Sequence, residues 1–196
     1  MTFDGFFRLA VNTVTAPRDV AALLLSLNLS RQALWLAFAL VVVLNTLMFG
    51  LTTLTSPASD LIGPFLGGPA IFGVMLGVSV AALIVAVTLC GRPLGGVARF
   101  DDIAVLVIWL QALRVVLQAV VVLLGPVSLF LSGVVVSAGS VIGIWIFVNF
   151  IDVAHETGGL LKAGFVLLLA VVGMMLGLSV IFSLLGVQTG GIPGYV

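Results

Sequence analysis

Charged side chains are scarce in this chain: they make up 7% of its 196 residues, whereas hydrophobic residues make up 62%. Soluble domains carry about 25% charged residues. A soluble protein of this composition would lack the polar surface needed to cover its core. Only one cysteine is present, so an intramolecular disulfide is excluded and the redox compartment is left open. These scarcities place the protein in a membrane.

Sequence motifs of the common enzyme and nucleic-acid-binding classes are also missing. The chain contains no nucleophile elbow, no phosphate-binding glycine loop, no cysteine pair and no basic nucleic-acid-binding face. We therefore expect a non-enzymatic protein without a cofactor or a bound metal. Its expected partners are membrane lipids, itself or other membrane proteins, and no nucleic acid.

Five continuous apolar runs fill most of the chain, at 33–54, 70–89, 103–124, 127–150 and 163–185. A helix rises about 1.5 Å per residue, so twenty residues cross a hydrocarbon core of about 30 Å. The runs do not alternate in polarity as barrel strands do, and unpaired backbone in lipid costs several kcal/mol per group. The sequence predicts an all-α membrane protein, a bundle of five transmembrane helices at 31–196.

The few cations predict the orientation of this bundle. Arg8, Arg18 and Arg31 precede the first span, Arg92 and Arg99 follow the second, and Lys162 follows the fourth. Six of the seven cations thus fall in alternate connections, which the positive-inside rule assigns to the cytoplasm. We expect a cytoplasmic N-terminus and an external C-terminus. Arginine outnumbers lysine six to one, a composition that favours a bacterial inner membrane.

Residues 1–30 form a separate N-terminal segment with two short helical patterns. Phe3, Phe6 and Phe7 lie with Ala10 and other apolar residues on one face of the first. The second begins at Pro17, a favourable first-turn residue. Amphipathic helices of this kind lie in the headgroup region of a membrane. The sequence leaves two alternatives open: membrane sensing or partner docking by these helices, or simple packing against the bundle.

The third span contains an arginine near its middle, Arg114. A cation there costs about 2.5–3.5 kcal/mol even on the lenient insertion scale. Gln111 and Gln118 share its helix face, and Asn45 lies at similar depth in the first span. We expect this polar stripe to face the bundle interior or a hydrated cavity. It is either a polar pathway or anion-binding point, or a structural staple, which is favoured because no acidic residue lies at that depth.

A second polar group gathers at the predicted cytoplasmic ends of the spans: Arg92, Arg99, Asp101, Asp102, Asn149, Asp152, His155 and Glu156. The pair His155-Glu156 begins like a zinc-protease motif, but Gly159 stands where the second histidine is required. The zinc hydrolase interpretation therefore fails. We expect a salt-bridge network that closes the helix ends.

Glycines recur at four-residue spacing in three spans, as Gly73/Gly77, Gly139/Gly143 and Gly173/Gly177. Such pairs let two helix backbones approach closely. They predict helix packing, either within the chain or between protomers.

The segment Asp60-Leu61-Ile62-Gly63-Pro64 resembles the signature of the Yip family of integral membrane proteins, in its short bacterial branch. The stretch around Gly95, Gly96 and Phe100, and Asn149-Phe150 before His155, are also similar to that branch. The resemblance covers nearly the whole chain from Pro17 onward. It implies five spans, a cytoplasmic N-terminus and a role in membrane organisation, with a Rab-type GTPase as partner only in a eukaryotic source.

Two functions follow as hypotheses. The first is a non-enzymatic, membrane-organising scaffold or interaction component of the Yip family. The alternative is a small transporter or channel subunit with a polar midplane site around Arg114, because transporters build such sites from polar residues at mid-membrane depth.

Overall fold

The computed structural model describes residues 3–55 and 68–184, and these residues are almost entirely helical. These two ranges contain seven α-helices: α1 (Phe3–Thr15), α2 (Pro17–Ser26), α3 (Arg31–Thr55), α4 (Gly68–Gly91), α5 (Phe100–Leu124), α6 (Leu129–His155) and α7 (Leu160–Leu184). A short 3₁₀ turn, Arg92–Leu94, follows α4 directly.

Five of these helices are long and apolar enough to cross a membrane: Arg31–Leu54, Gly68–Leu94, Phe100–Leu124, Leu129–His155 and Leu160–Gly177. The prediction of an all-α, five-span membrane protein is confirmed, with ends that differ by a few residues. The resemblance motif of Asp60, Leu61, Gly63 and Pro64 lies outside the described residues.

Local side-chain chemistry sets several helix ends. The hydroxyl of Ser128 accepts a hydrogen bond from the Leu131 N–H at 3.2 Å and caps the start of α6. At the other end of α6, Glu156 takes a left-handed conformation with φ of 52°, which stops the helix. Pro17 stands at the first turn of α2, where its missing N–H costs nothing.

The five long helices form a closed ring in the order α3, α5, α6, α7 and α4, with α4 also touching α5. We call the end of this ring that carries Arg31, Asp101, His155 and Lys162 the charged end, and the opposite half the far half. The helix α2 lies against α6 and α5, and α1 contacts α2 and α6.

Packing is concentrated near the charged end. In α5 every residue from Ile103 to Trp109 is buried, and in α6 the buried apolar residues begin at Ile146 and continue to the charged end. In α3, α4 and α7 most of the fully buried residues likewise lie toward that end. Among described span residues, the buried exceptions in the far halves are Asn45, Gly73 and Ser132. The helices are therefore tightly packed over one half of their length and loosely over the other.

The N-terminal helices pack against the spans, as one of the two alternatives from the sequence predicts, and a role of their exposed side in membrane sensing or partner docking stays a prediction. The indole N–H of Trp109 donates to the hydroxyl of Thr13 at 3.0 Å, and both groups are buried. The ring of Phe6 meets Trp109 edge-on, with centroids 5.4 Å apart. Phe7 and Val11 remain exposed on the outside of α1. One part of the apolar surface of α1 thus covers α5, and another part remains exposed.

Replacing Thr13 by valine tests this docking. The Trp109 N–H would lose its acceptor in a buried site, at a cost of about 1–3 kcal/mol. We expect α1 and α2 to detach more often, and limited proteolysis at the exposed segment 27–30 to become about tenfold faster. Thr15→Val is the matched control, because the Thr15 hydroxyl is exposed and bonds only to its own helix at 3.3 Å. Equal cleavage of the two variants would contradict the docking role of the hydrogen bond.

Candidate functional site

Asp152, near the end of α6, is the centre of the polar junction at the charged end. One carboxylate oxygen pairs with the guanidinium of Arg18 from α2. The other accepts from the Thr157 hydroxyl at 2.6 Å and from the Gly159 backbone N–H at 2.9 Å. The side chain is only 8% exposed. A single carboxylate therefore joins the N-terminal helices to α6 and to the turn that leads into α7.

His155, the last residue of α6, is fully buried in a pocket made by glycines. Its Nε2 lies 3.2 Å from the carbonyl oxygen of Val87 and donates to it, because a carbonyl only accepts. A side chain at Gly91 would overlap with the imidazole ring, and one at Gly96 would lie 2.8 Å from its Cγ. The backbone N–H of Val97 also donates to the carbonyl of His155 at 3.3 Å. The connection between α4 and α5 is thus wrapped around this ring.

The other predicted members of this cluster take separate local roles. Asp102 accepts the Arg99 backbone N–H at 2.9 Å and caps α5. Asp101 faces Arg31 at 4.0 Å. The amide of Asn149 donates back to its own helix, at the Trp145 carbonyl, 2.8 Å away. These residues do not form the single salt-bridge network that the sequence suggested.

Two cations and one carboxylate of the predicted cluster point outward. Arg92, Arg99 and Glu156 are exposed, and their side chains form no ion pair with any described residue. In the described ranges no group of three or more histidine, cysteine, aspartate or glutamate side chains is placed to hold a metal ion. The junction holds helices together, and its chemistry is that of hydrogen bonds and ion pairing.

The amide oxygens of the mid-span stripe are buried in the bundle. Asn45 is 1% exposed, and its amide donates to the Val41 carbonyl at 2.7 Å and weakly to the Gln111 carbonyl at 3.4 Å. The side-chain oxygens of Asn45, Gln111 and Gln118 are buried and accept no hydrogen bond. A buried polar atom without a hydrogen-bond partner destabilises the fold by about 1–3 kcal/mol. A donor that reached any of these three oxygens would therefore stabilise the protein.

Arg114 is exposed, whereas the other members of the stripe are buried or half-buried. It lies eleven residues after Ile103 and seven after Val107, so it shares a helix face with two of the most deeply buried residues of α5. The side chain of Arg114 forms no hydrogen bond or ion pair with any residue of the described chain. That the whole stripe faces the interior or a hydrated cavity stays a prediction.

Some glycines of the three pairs lie against a neighbouring helix, and the others have open space beside them. A Cβ on Gly73 would lie 2.6 Å from the Thr46 hydroxyl of α3, and one on Gly139 would overlap with Leu117 of α5. Gly77 is in ordinary contact range of Val42, at 3.8 Å. By contrast, a Cβ on Gly143, Gly173 or Gly177 would meet nothing within 4 Å. Two of the six glycines therefore serve close helix packing within the chain.

Sequence reasoning missed several residues of the junction. Arg18 was weighed only as a topological charge, and the partners Thr157, Gly91 and Gly96 were not identified as a group. Three glycines flank the short Arg-Pro-Leu turn, Gly91 before it and Gly95-Gly96 after it, and they are the signal that could have indicated a close packing partner. Thr13 and Trp109 gave no such signal, because they are 96 residues apart.

Comparison with known proteins assigns no relative to this arrangement: no family model, curated protein or solved structure matches the chain.

Proposed function

We propose that this protein is a non-enzymatic membrane-organising component of the Yip family in a bacterial inner membrane. It works by binding another membrane protein through the exposed guanidinium of Arg114. The observation that carries the proposal is that Arg114 is exposed in the middle of a candidate span and forms no ion pair with any described residue. The Yip resemblance and the cation distribution support a charged end that faces the cytoplasm.

The position of Arg114 leaves it far from water. It is fourteen residues past Phe100 and ten before Leu124, which is about 21 Å and about 15 Å along the helix. Both distances exceed the length of an arginine side chain, so the guanidinium reaches neither headgroup layer easily. Helical side chains also lean toward the N-terminus, which brings this group closer to the middle of the bilayer.

An anionic partner at the same depth would offset the free-energy cost of holding the Arg114 guanidinium in the hydrocarbon core. No aspartate or glutamate of the described chain lies in the far half of any span. Two copies of the chain that met face to face across a two-fold axis would place Arg114 against Arg114, which is repulsive. The complementary partner is therefore a different membrane protein, with a carboxylate near the middle of one of its spans.

A model peptide provides a direct test. The protein is labelled at Lys162→Cys in a Cys90→Ser background and reconstituted with a leucine-alanine transmembrane peptide that carries one central glutamate. Energy transfer should report association, about tenfold weaker with Arg114→Met, because intramembrane polar contacts contribute about 1–2 kcal/mol. A peptide with glutamine in place of glutamate is the matched control. Equal association of the glutamate peptide with wild type and Arg114→Met would refute the proposal.

One further variant excludes an internal pair. Asp60 is the acidic residue of the chain outside the described ranges that precedes α4. If the Asp60 carboxylate formed an ion pair with Arg114, Asp60→Asn would free the guanidinium and strengthen peptide binding. We expect Asp60→Asn to bind the glutamate peptide as the wild type does.

The second candidate is a small transporter or channel subunit, and the buried oxygens of Asn45, Gln111 and Gln118 favour it. A file of water through the bundle would satisfy all three. Cysteines placed at Asn45 and Gln118 in the Cys90→Ser background decide between the two. Labelling by a small water-soluble reagent supports transport, and protection supports the interaction component.

A further inference from the structure

A shallow cleft opens at the charged end between α3, α4 and α5. Its walls are apolar, with Phe38 from α3, Ile84 from α4 and Ile108 from α5 at the deeper positions. Trp35 and Phe100 lie nearer the mouth, where Arg31 and Asp101 supply the charges. The cleft shares no residue with the junction around Asp152, and Arg114 does not line it.

The two charges at the mouth are only loosely engaged with each other. The Nε of Arg31 and the nearest oxygen of Asp101 are 4.0 Å apart, beyond hydrogen-bond distance. The Arg31 side chain is 83% exposed and that of Asp101 33% exposed. Neither side chain makes another hydrogen bond or ion pair within the described chain. Both groups therefore keep their capacity to bind a charged ligand.

The cleft has the depth of a lipid's upper half. From Arg31 to Phe38, and from Asp101 to Ile108, the helices advance seven residues, which is about 10 Å. Arg31 and Phe100 are the first residues of their candidate spans, so the mouth stands at headgroup level and the apolar walls stand in the hydrocarbon. Trp35, more than half exposed beside the mouth, is a residue typical of that boundary.

We propose that this cleft binds one zwitterionic, amine-bearing glycerophospholipid such as phosphatidylethanolamine. The phosphate accepts hydrogen bonds from the guanidinium of Arg31, whose planar donor fork suits it. The ammonium group donates to the carboxylate of Asp101, and one acyl chain lies along Phe38, Ile84 and Ile108. A phosphatidylglycerol headgroup would bring only negative charge and would meet the Asp101 carboxylate. Charge complementarity therefore selects the zwitterion over an anionic lipid.

Lipid competition measured by native mass spectrometry tests the assignment on the full-length protein. Delipidated protein in detergent is given equal amounts of phosphatidylethanolamine and phosphatidylglycerol of identical acyl chains. We expect the first bound adduct to favour phosphatidylethanolamine about tenfold. Asp101→Asn should invert this preference toward phosphatidylglycerol, because Arg31 is then the only charge at the mouth. Arg31→Gln should reduce binding of both lipids.

Matched controls separate this site from general surface electrostatics. Asp19→Asn and Arg92→Gln remove exposed charges from the same end, outside the cleft, and should leave the preference unchanged. Because the readout is a ratio of two lipids on folded protein, a loss of stability alone does not produce the inversion. Equal binding of the two lipids by wild type, or an Asp101→Asn variant that keeps the wild-type preference, would overturn the proposal. A lipid preference that follows the control charges instead would do the same.

Discussion

Replacing Gly91 with alanine is expected to disrupt the charged end of the bundle. The new methyl group would overlap with the buried ring of His155, which is held by Val87 and enclosed by the α4–α5 connection. Overpacking of a well-packed site costs about 1–3 kcal/mol, and this ring has little room to move. We expect a clear fall in the temperature at which half of the detergent-solubilised protein remains monodisperse.

Gly143→Ala is the control for this substitution. Gly143 is also a helical glycine, but a Cβ there meets nothing within 4 Å. Alanine at such a position favours the helix by about 0.5–1 kcal/mol. The two variants should therefore change stability in opposite directions. A Gly91→Ala protein as stable as Gly143→Ala would show that the close packing against His155 is dispensable.

A double variant assigns the effect to the ring itself. His155→Ala removes the imidazole and leaves space where the Gly91→Ala methyl group would lie. We expect Gly91→Ala to be far less damaging in the His155→Ala background than in the wild type, which is a favourable coupling in a double-mutant cycle. Additive losses would place the cause elsewhere in α4.

The second large effect is expected at Asp152. Asp152→Asn retains the shape of the side chain but turns an amide N–H or an uncharged oxygen toward Arg18. Removal of one partner from a buried ion pair costs about 3–5 kcal/mol. Because the Arg18 side chain is 53% exposed and water can reach it, we expect a smaller loss of about 1–3 kcal/mol.

Glu156→Gln is the matched control for Asp152→Asn. It removes the same charge four residues further along, from an exposed side chain that forms no ion pair with the described residues. Thermal midpoints of Asp152→Asn, Arg18→Met and the double variant should reveal coupling between the two charges. If Asp152→Asn is no less stable than Glu156→Gln, the junction does not hold the N-terminal helices in place.

The spans were predictable because a long, continuous apolar run crosses a bilayer as a helix, which satisfies its own backbone hydrogen bonds. Even the start of α4 at Gly68, next to Pro69, follows from the fact that proline is tolerated only in a first helical turn. The two N-terminal helices could likewise be predicted, from the helical spacing of apolar residues and from Pro17. Each of these features depends on residues close together in sequence.

The docking of these helices was not predictable in the same way. It depends on Trp109 with Thr13 and on Asp152 with Arg18, pairs that are 96 and 134 residues apart. The spans show a second limit. In a soluble helix the apolar stripe marks the inner side, but lipid is as apolar as a protein core, so the span pattern does not report which side faces outward. The direction of a lone polar side chain then depends on how the helices are rotated against each other.

The placement of α1 and α2 has a mechanical consequence. Within the described ranges, seven helices contribute to the bundle near the charged end and five continue through the far half. The two additional helices add cross-section on one side of the membrane. We expect such an asymmetry to be accommodated with least strain where the membrane bulges toward the side that carries α1 and α2, so each copy would favour one sign of curvature over the other.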